Sequence, residues 1–325
     1  MSGSPPQAEA LLRRLEWTSL RRLDGLLQGD YRTLLRGAGL DLADLREYQV
    51  GDDVRRIDWN ATARLDQPQV RDDLEERELA AWFIVDLSAS VDFGSGPSTK
   101  RDRAIEACAL LARLLMRRGN RIGAIAGETS TQRVVPARTG RRHLLALLEQ
   151  LGRPRPAASP PGEGALTDLA ALLRAAEGVA RRRSLLVVVS DFISAPGWAA
   201  VLARLALRHD VLALRLLDPF ERALPDIGLV PLRDAETGER LLVDTSDPGL
   251  RARHRALALA AEAALREDFG RAGVDAVEIA CDEDPVDALA GYLRLRRLHA
   301  RLRSGAASAI AAANSAGGAR ALPVA

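Results

Sequence analysis

The side chains best suited to chemistry in this sequence are oxygen donors, and three of them alternate in Asp86-Leu87-Ser88-Ala89-Ser90. Such alternation lets three side chains of one turning loop point at the same place. A carboxylate with two small neutral hydroxyls suits a hard divalent cation: Mg2+ takes oxygen ligands in an octahedron and retains waters rather than filling every position with protein. Two more oxygen groups occupy comparable places. Ser190-Asp191 follows an apolar run ending at Val189, and Thr167-Asp168 opens a helical pattern. Together Asp86, Ser88, Ser90, Thr167 and Asp191 form a candidate site for Mg2+ or Mn2+, with two carboxylates for charge balance and an open position for a partner's carboxylate. Each member has a plainer role. A Thr before a helix is commonly an N-cap, an Asp can simply end a strand, and a short Asp-x-Ser-x-Ser pattern arises by chance. Context favours the metal: a strand pattern precedes the motif, a helix follows it, and the other donors lie at strand or helix ends.

Other chemistries fit less well. Gly94-Ser95-Gly96-Pro97-Ser98-Thr99-Lys100 is glycine-rich and precedes a helix, but it lacks the Gly-Lys-Ser/Thr of a phosphate loop, and Pro97 removes a backbone donor. No G-x-G-x-x-G occurs, and no Ser/His/Asp set has a recognisable elbow. His143, His209, His254 and His299 share no ligand spacing, and no histidine lies in the donor loops to act as a general base. Asp92 and Asp168 are the spare carboxylates nearby. A non-enzymatic binding site is therefore expected, with a metal-dependent hydrolase using the same residues as the alternative. A structural protein whose metal site has degenerated is disfavoured by the complete donor set.

The donors need a scaffold that brings strand ends together. Nearly continuous apolar strands are expected at 79–86, 121–126, 185–189, 211–217 and 274–280, with a further strand near 131–135 ended by Pro136. Helical patterns fill 98–118, a stretch led in by Thr139-Gly140 and carrying Leu144, Leu145, Leu147, Leu148 and Leu151, the stretch from Thr167, 197–208, 250–272 and 285–303. Apolar strands alternating with helices indicate a mostly parallel sheet covered on both faces, in which ligands bind beyond the carboxyl ends of the strands. Segments 228–232 and 240–244 flank a turn-rich stretch and predict a β-hairpin, an insertion over about 228–246. Residues 153–164, rich in proline, form a loop. The expected organisation is a disordered 1–9, an N-terminal segment 10–78 that packs on the core, the α/β domain 79–303, and a flexible tail 304–325.

Composition narrows the class. Lys+Arg is 46 against Asp+Glu 44, a formal net charge of +2 that lacks the basic excess of a nucleic-acid protein. Lys100 is the sole lysine. Hydrophobic residues make up 47% and aromatics 4%, so the core is built from aliphatic side chains. Cys108 and Cys281 lie far apart, outside any CxxC pair, and are expected as small buried hydrophobes. No stretch approaches the roughly 20 apolar residues of a membrane span, and the N-terminus has no signal-peptide pattern; a cytoplasmic protein is expected.

Two patterns carry a family resemblance. The set Asp86, Ser88, Ser90, Thr167 and Asp191 resembles the metal-ion-dependent adhesion site of von Willebrand factor A domains. The run Arg46-Glu47-Tyr48 … Gly51-Asp52-Asp53 … Arg55-Arg56-Ile57-Asp58-Trp59 … Ala63-Arg64 is similar to the signature of the bacterial domain-of-unknown-function family fifty-eight, whose members join it to a von Willebrand A-like domain. The resemblance covers about residues 10–303. It implies a von Willebrand A-like (Rossmann-like) fold and a chaperone-like binding protein. The implied partner is a MoxR-class AAA+ ATPase, and the pair would act in assembly or maturation of clients. Asp86, Ser88, Ser90 and Asp191 carry over directly, whereas Thr139 rivals Thr167 as the third-loop donor. Two readings stay open for the charged segment 44–78. It braces the sheet, with Asp58 paired to Arg55 or Arg56 and Trp59 buried, or it presents Tyr48, Asp52, Arg55, Asp58 and Trp59 to a partner.

Overall fold

Apolar runs that cannot face water on either side become the middle of the sheet. A computed structural model of the chain describes residues 8–12, 23, 45–49, 52–54, 57, 59, 62–63, 67–71, 80–127, 132–153, 167–233, 240–296 and 298. After a small antiparallel pair, β1 (Leu45–Glu47) with β2 (Gln69–Arg71), come β3 (Ala80–Asp86), α1 (Lys100–Met116), β4 (Arg121–Gly127) and β5 (Gln132–Arg138). Then follow α2 (Arg141–Leu151), α3 (Leu169–Val179), β6 (Leu185–Ser190), α4 (Trp198–Arg208), β7 (Asp210–Leu217) and the one-turn α5 (Pro219–Arg222). The hairpin β8 (Leu229–Arg233) and β9 (Arg240–Asp244), α6 (Pro248–Ala272), β10 (Asp275–Ala280) and α7 (residues 285–296) complete the described residues.

The main sheet has six strands in the order β10-β7-β6-β3-β4-β5. Each neighbouring pair is parallel except β4 with the edge strand β5. Alternate residues divide the core between two faces: Ala81, Phe83 and Val85 of β3 pack with α1, α2 and α7, while Trp82 and Ile84 pack with α3, α4 and the end of α6. Helices thus cover both faces, as expected for a von Willebrand A-like fold. Leu12 and Leu23 of the N-terminal segment are fully buried on the α1–α2 face. The helical turn there includes Ala8 and Glu9, which lie inside the stretch 1–9 expected to be disordered.

Other differences have local causes. β5 does not stop at Pro136 but runs to Arg138, antiparallel to β4. Proline lacks an N–H and is tolerated on an edge strand or at a bulge. Here it has both, since the register shifts between Ile122 and Ala124. Gly123 lies within that shift and under the Trp82 ring: a Cβ there would approach the ring to 2.5 Å. The expected hairpin is present, with Leu229 opposite Asp244 and Arg233 opposite Arg240. Cys108 and Cys281 are buried and unbridged. Burial pushes the Cys108 thiol far above its ordinary range, and burial with the nearby Asp218 carboxylate pushes Cys281 up to about 12.

Trp59 is not buried as the bracing reading required: it is 69% exposed. Tyr48 is half-buried, and Asp52 accepts a hydrogen bond from the Gln49 amide at 2.9 Å. Arg55, Arg56 and Asp58, the expected ion pair, lie outside the described residues, as do most of the proline-rich loop and the tail. Among the described residues no helix is long and apolar enough to cross a membrane.

Candidate metal centre

From β3 the chain moves to β4 on one side, and the later strand β6 joins β3 on the other side. This reversal makes the carboxyl ends of β3 and β6 a topological switch point, the crevice position at which open α/β sheets bind ligands. Asp86 ends β3, and Asp191 directly follows β6. Asp86, Ser88, Ser90 and Asp191 are all buried.

Hydrogen bonds within and between the two loops hold these side chains. Past Asp86 the chain winds into a short 3-10 turn, Ala89–Asp92, so Ser88 and Ser90 fall on one side with their hydroxyls 3.1 Å apart. The Ser88 amide donates to Asp86 Oδ1 at 2.9 Å, and Ser190 Oγ donates to Asp86 Oδ2 at 2.7 Å. The Ile193 amide donates to Asp191 Oδ1 at 3.0 Å, and the Phe192 amide donates to Ser190 Oγ at 2.9 Å. These bonds require a tight turn, and Phe192 adopts a left-handed φ of 60°. Such backbone costs on the order of 1 kcal/mol in a non-glycine residue. It is held by packing of the Phe192 ring against Trp198 and Phe269, with centroids 5.1 and 4.9 Å away.

Thr167 and Thr139 prove to be at opposite ends of the sheet. The Thr167 carbonyl accepts from the Ala195 amide at 2.9 Å and from Ser194 Oγ at 2.7 Å, which ties its loop to the one carrying Asp191. Thr167 is buried and is not the helix cap: Asp168 caps α3 by accepting from the Ala171 amide at 3.0 Å. Thr139 is exposed after β5, whose final residue Arg138 pairs with Ile122 near the start of β4. The antiparallel run of β5 therefore carries Thr139 away from the crevice.

The centre is anionic and strained electrostatically. Burial, and then the Asp191 charge, raise the Asp86 pKa from its ordinary 3.8 to about 6, against the opposing hydrogen bonds from Ser190 and Ser88. Two like charges buried together are relieved by a cation, and Lys100 already supplies one to Asp191. Carboxylate oxygens retain acceptor capacity beyond one hydrogen bond, and the paired serine hydroxyls add neutral ligands. This donor set fits a hard divalent ion such as Mg2+. Among the described residues no three His, Cys, Asp or Glu side chains cluster to hold a metal without the hydroxyls.

Sequence reasoning missed Lys100, Ser190, Asp218 and Glu221. The Lys100 side chain is 1% exposed, and its Nζ donates to Asp191 Oδ2 at 2.7 Å and Glu221 Oε1 at 2.5 Å. Burial alone would lower its pKa, but Asp191 and Glu221 outweigh burial and hold it above the ordinary value. Asp218 caps α5, forms a capping box with Glu221, and accepts from the Ser95 amide at 2.7 Å. The glycine-rich loop over 94–96 is thus pinned by a carboxylate of its own chain. The signal available in the sequence was that a chain rich in arginine has a single lysine.

Over residues 44–264 the sequence matches the family described as "Protein of unknown function DUF58". The chain belongs to this family. Two relatives, the uncharacterized proteins Rv1480 of Mycobacterium tuberculosis and Mb1516 of Mycobacterium bovis, are each 38% identical over 292 residues, 90% of this chain and 90% of theirs. A shorter relative from Paracoccus denitrificans, named as an uncharacterized protein in the moxR 3' region, is 35% identical over 105 residues, covering 32% of this chain and 99% of its own. Among solved structures, BatB from Bacteroides thetaiotaomicron is 14% identical, with 67% of this chain and 98% of that one covered and a TM-score of 0.41. The SpRpn10 VWA domain is 10% identical, with 64% and 91% covered and a TM-score of 0.35.

Proposed function

We propose that this DUF58 protein is a non-enzymatic, metal-dependent protein-binding module that works with a MoxR-class AAA+ ATPase in the assembly or maturation of client proteins. The observation that carries the reading is the pair of buried carboxylates, Asp86 and Asp191, converging with two serine hydroxyls at the sheet's switch point. Ser88 and Ser90 would hold the ion directly, and Asp86 and Asp191 would balance its charge. When bound, Mg2+ would supply a Lewis-acidic position for an acidic side chain of the partner. Ser190 and the Ser88 amide orient Asp86, while the Phe192 turn fixes Asp191. Phe93 and Ile193, on the two loops bearing the donors, are 37% and 52% exposed and provide apolar contact beside the polar centre. The exposed Trp59 belongs to the same kind of recognition surface. The ATPase assignment is supported by the genomic position named for the Paracoccus relative.

The competing hydrolase has one observation in its favour, since a carboxylate at about 6 is poised for general acid–base work. Against it, no histidine lies in the donor loops to serve as a second acid–base group. The spare carboxylates are occupied: Asp92 pairs with Arg101, and Asp168 caps α3 and pairs with Arg174. The test is capture of the MoxR-class ATPase from the same genome on immobilised protein, in Mg2+ or in chelator. Capture in Mg2+ alone, lost in Ser88→Ala/Ser90→Ala, is expected. Equal capture in chelator, or metal-dependent turnover of generic phosphoesters lost in Asp86→Asn, would overturn the proposal.

A further inference from the structure

Lys100 stands one residue past the cap of α1, so its backbone is fixed by the Thr99–Asp102 capping box and by the hydrogen bond that its amide donates to the Phe93 carbonyl at 2.9 Å. From there its side chain is directed inward instead of into solvent. Burying an ammonium is costly unless it is paired, and this one is paired with carboxylates from two other loops. Asp191 comes from the end of β6, and Glu221 from α5 after β7. Glu221 is itself positioned, because its second oxygen accepts from the Asp218 amide at 3.1 Å. A structural ion pair would need only one of these partners. Here the cation contacts one of the two carboxylates available to a metal ion, and a third carboxylate balances it from behind.

We propose that Lys100 is a resident cation of the metal centre, which occupies one face of Asp191 and sets a low affinity for the divalent ion. Resting on the metal-centre reading above, this inference adds the residue that tunes the site. With Lys100, Asp86, Asp191 and Glu221 all ionised, the group carries a net charge of two negative. Lys100→Met makes it three negative and frees Asp191 Oδ2; Glu221→Gln makes it one negative and leaves the ammonium to Asp191 alone. The two substitutions break the same ion-pair network, yet they must move metal affinity in opposite directions. A merely structural role for the network moves both the same way. A weakly held ion stays exchangeable until a partner's carboxylate joins it, so Lys100 makes docking dependent on both metal and partner.

The test is Mn2+ titration of the full chain by EPR, which counts free ion up to millimolar concentrations, for wild type, Lys100→Met, Glu221→Gln and Asp86→Asn. Thermal melts show which variants fold. The expected result is Mn2+ affinity raised at least about tenfold in Lys100→Met, a lower bound for removing one unit charge a few ångströms from a dication in a partly screened interior. Glu221→Gln lowers affinity, and Asp86→Asn abolishes the site. Binding that needs Asp86 but is equal or weaker in Lys100→Met overturns the role of Lys100 and leaves the metal centre standing. Binding absent from wild type but present in Lys100→Met supports the inference. Absence from both overturns the metal centre and the inference with it. If Lys100→Met fails to fold, unchanged or tighter binding in Glu221→Gln overturns the inference, and weaker binding supports it.

Discussion

Asp86→Asn should make the metal-free protein more stable at neutral pH, although it alters a buried, hydrogen-bonded residue. The Asp86 pKa is raised from 3.8 to about 6, by burial first and Asp191 second. Because the folded protein holds this proton more tightly than the unfolded chain, the stabilising contribution is complete below about 3.8 and is lost as pH rises through about 6. At about 1.4 kcal/mol per unit, keeping Asp86 ionised inside the fold costs about 3 kcal/mol at neutral pH. Asparagine keeps an acceptor for the Ser88 amide but reverses the bond to Ser190 Oγ, which offsets about 1 kcal/mol. A net gain of about 2 kcal/mol corresponds to a melting temperature higher by roughly 4–8 °C. The assay is thermal or urea denaturation in chelator from pH 4 to pH 8. The advantage of the variant should be largest at pH 7–8, shrink as pH falls, and reverse near pH 4, where only the altered bond remains. Mg2+ should then close the gap by stabilising wild type alone. A variant equally destabilised at pH 7 and pH 4 would refute the idea that the crevice stores like-charge repulsion for a cation.

Other substitutions probe the supports of the site. Phe192→Ala removes the ring that holds the left-handed turn, and urea denaturation should show a loss of about 3 kcal/mol together with weaker Mn2+ binding; an unchanged midpoint would contradict the role given to the ring. Gly123→Ala drives a methyl group into the Trp82 ring and should cost about 1–3 kcal/mol, with a shift in tryptophan emission as the local check. Thr167→Val should lower Mn2+ affinity, whereas Thr139→Val should leave it unchanged. The reverse pattern would mean that the wrong loop has been placed at the crevice.

What the sequence made legible follows from how local each signal is. β3, β6 and β7 could be read because strands covered on both faces must be apolar at nearly every position. Asp86, Ser88 and Ser90 were legible because they share one loop, and Asp191 because a carboxylate interrupts an apolar strand at its end. β5 was misread at Pro136 because tolerance of proline depends on being an edge strand, a property of the assembled sheet. Thr139 and Thr167 could not be separated without the direction of that strand. Lys100 and Glu221 meet across 121 positions, and no local pattern announces a pair of that kind. The exposure of Trp59 also depends on tertiary packing, since an aromatic among charges suits a buried brace and a recognition surface equally.

The most direct measurement on the central claim is an anomalous difference map from crystals of the wild-type protein soaked in Mn2+. The account predicts one strong peak in the crevice between β3 and β6, with Ser88 and Ser90 Oγ as direct ligands and with Asp86 and Asp191 beside it. A fully ordered crevice without a peak at saturating Mn2+, with Lys100 Nζ still seated on Asp191, would contradict it and leave the ammonium as the only cation the centre holds.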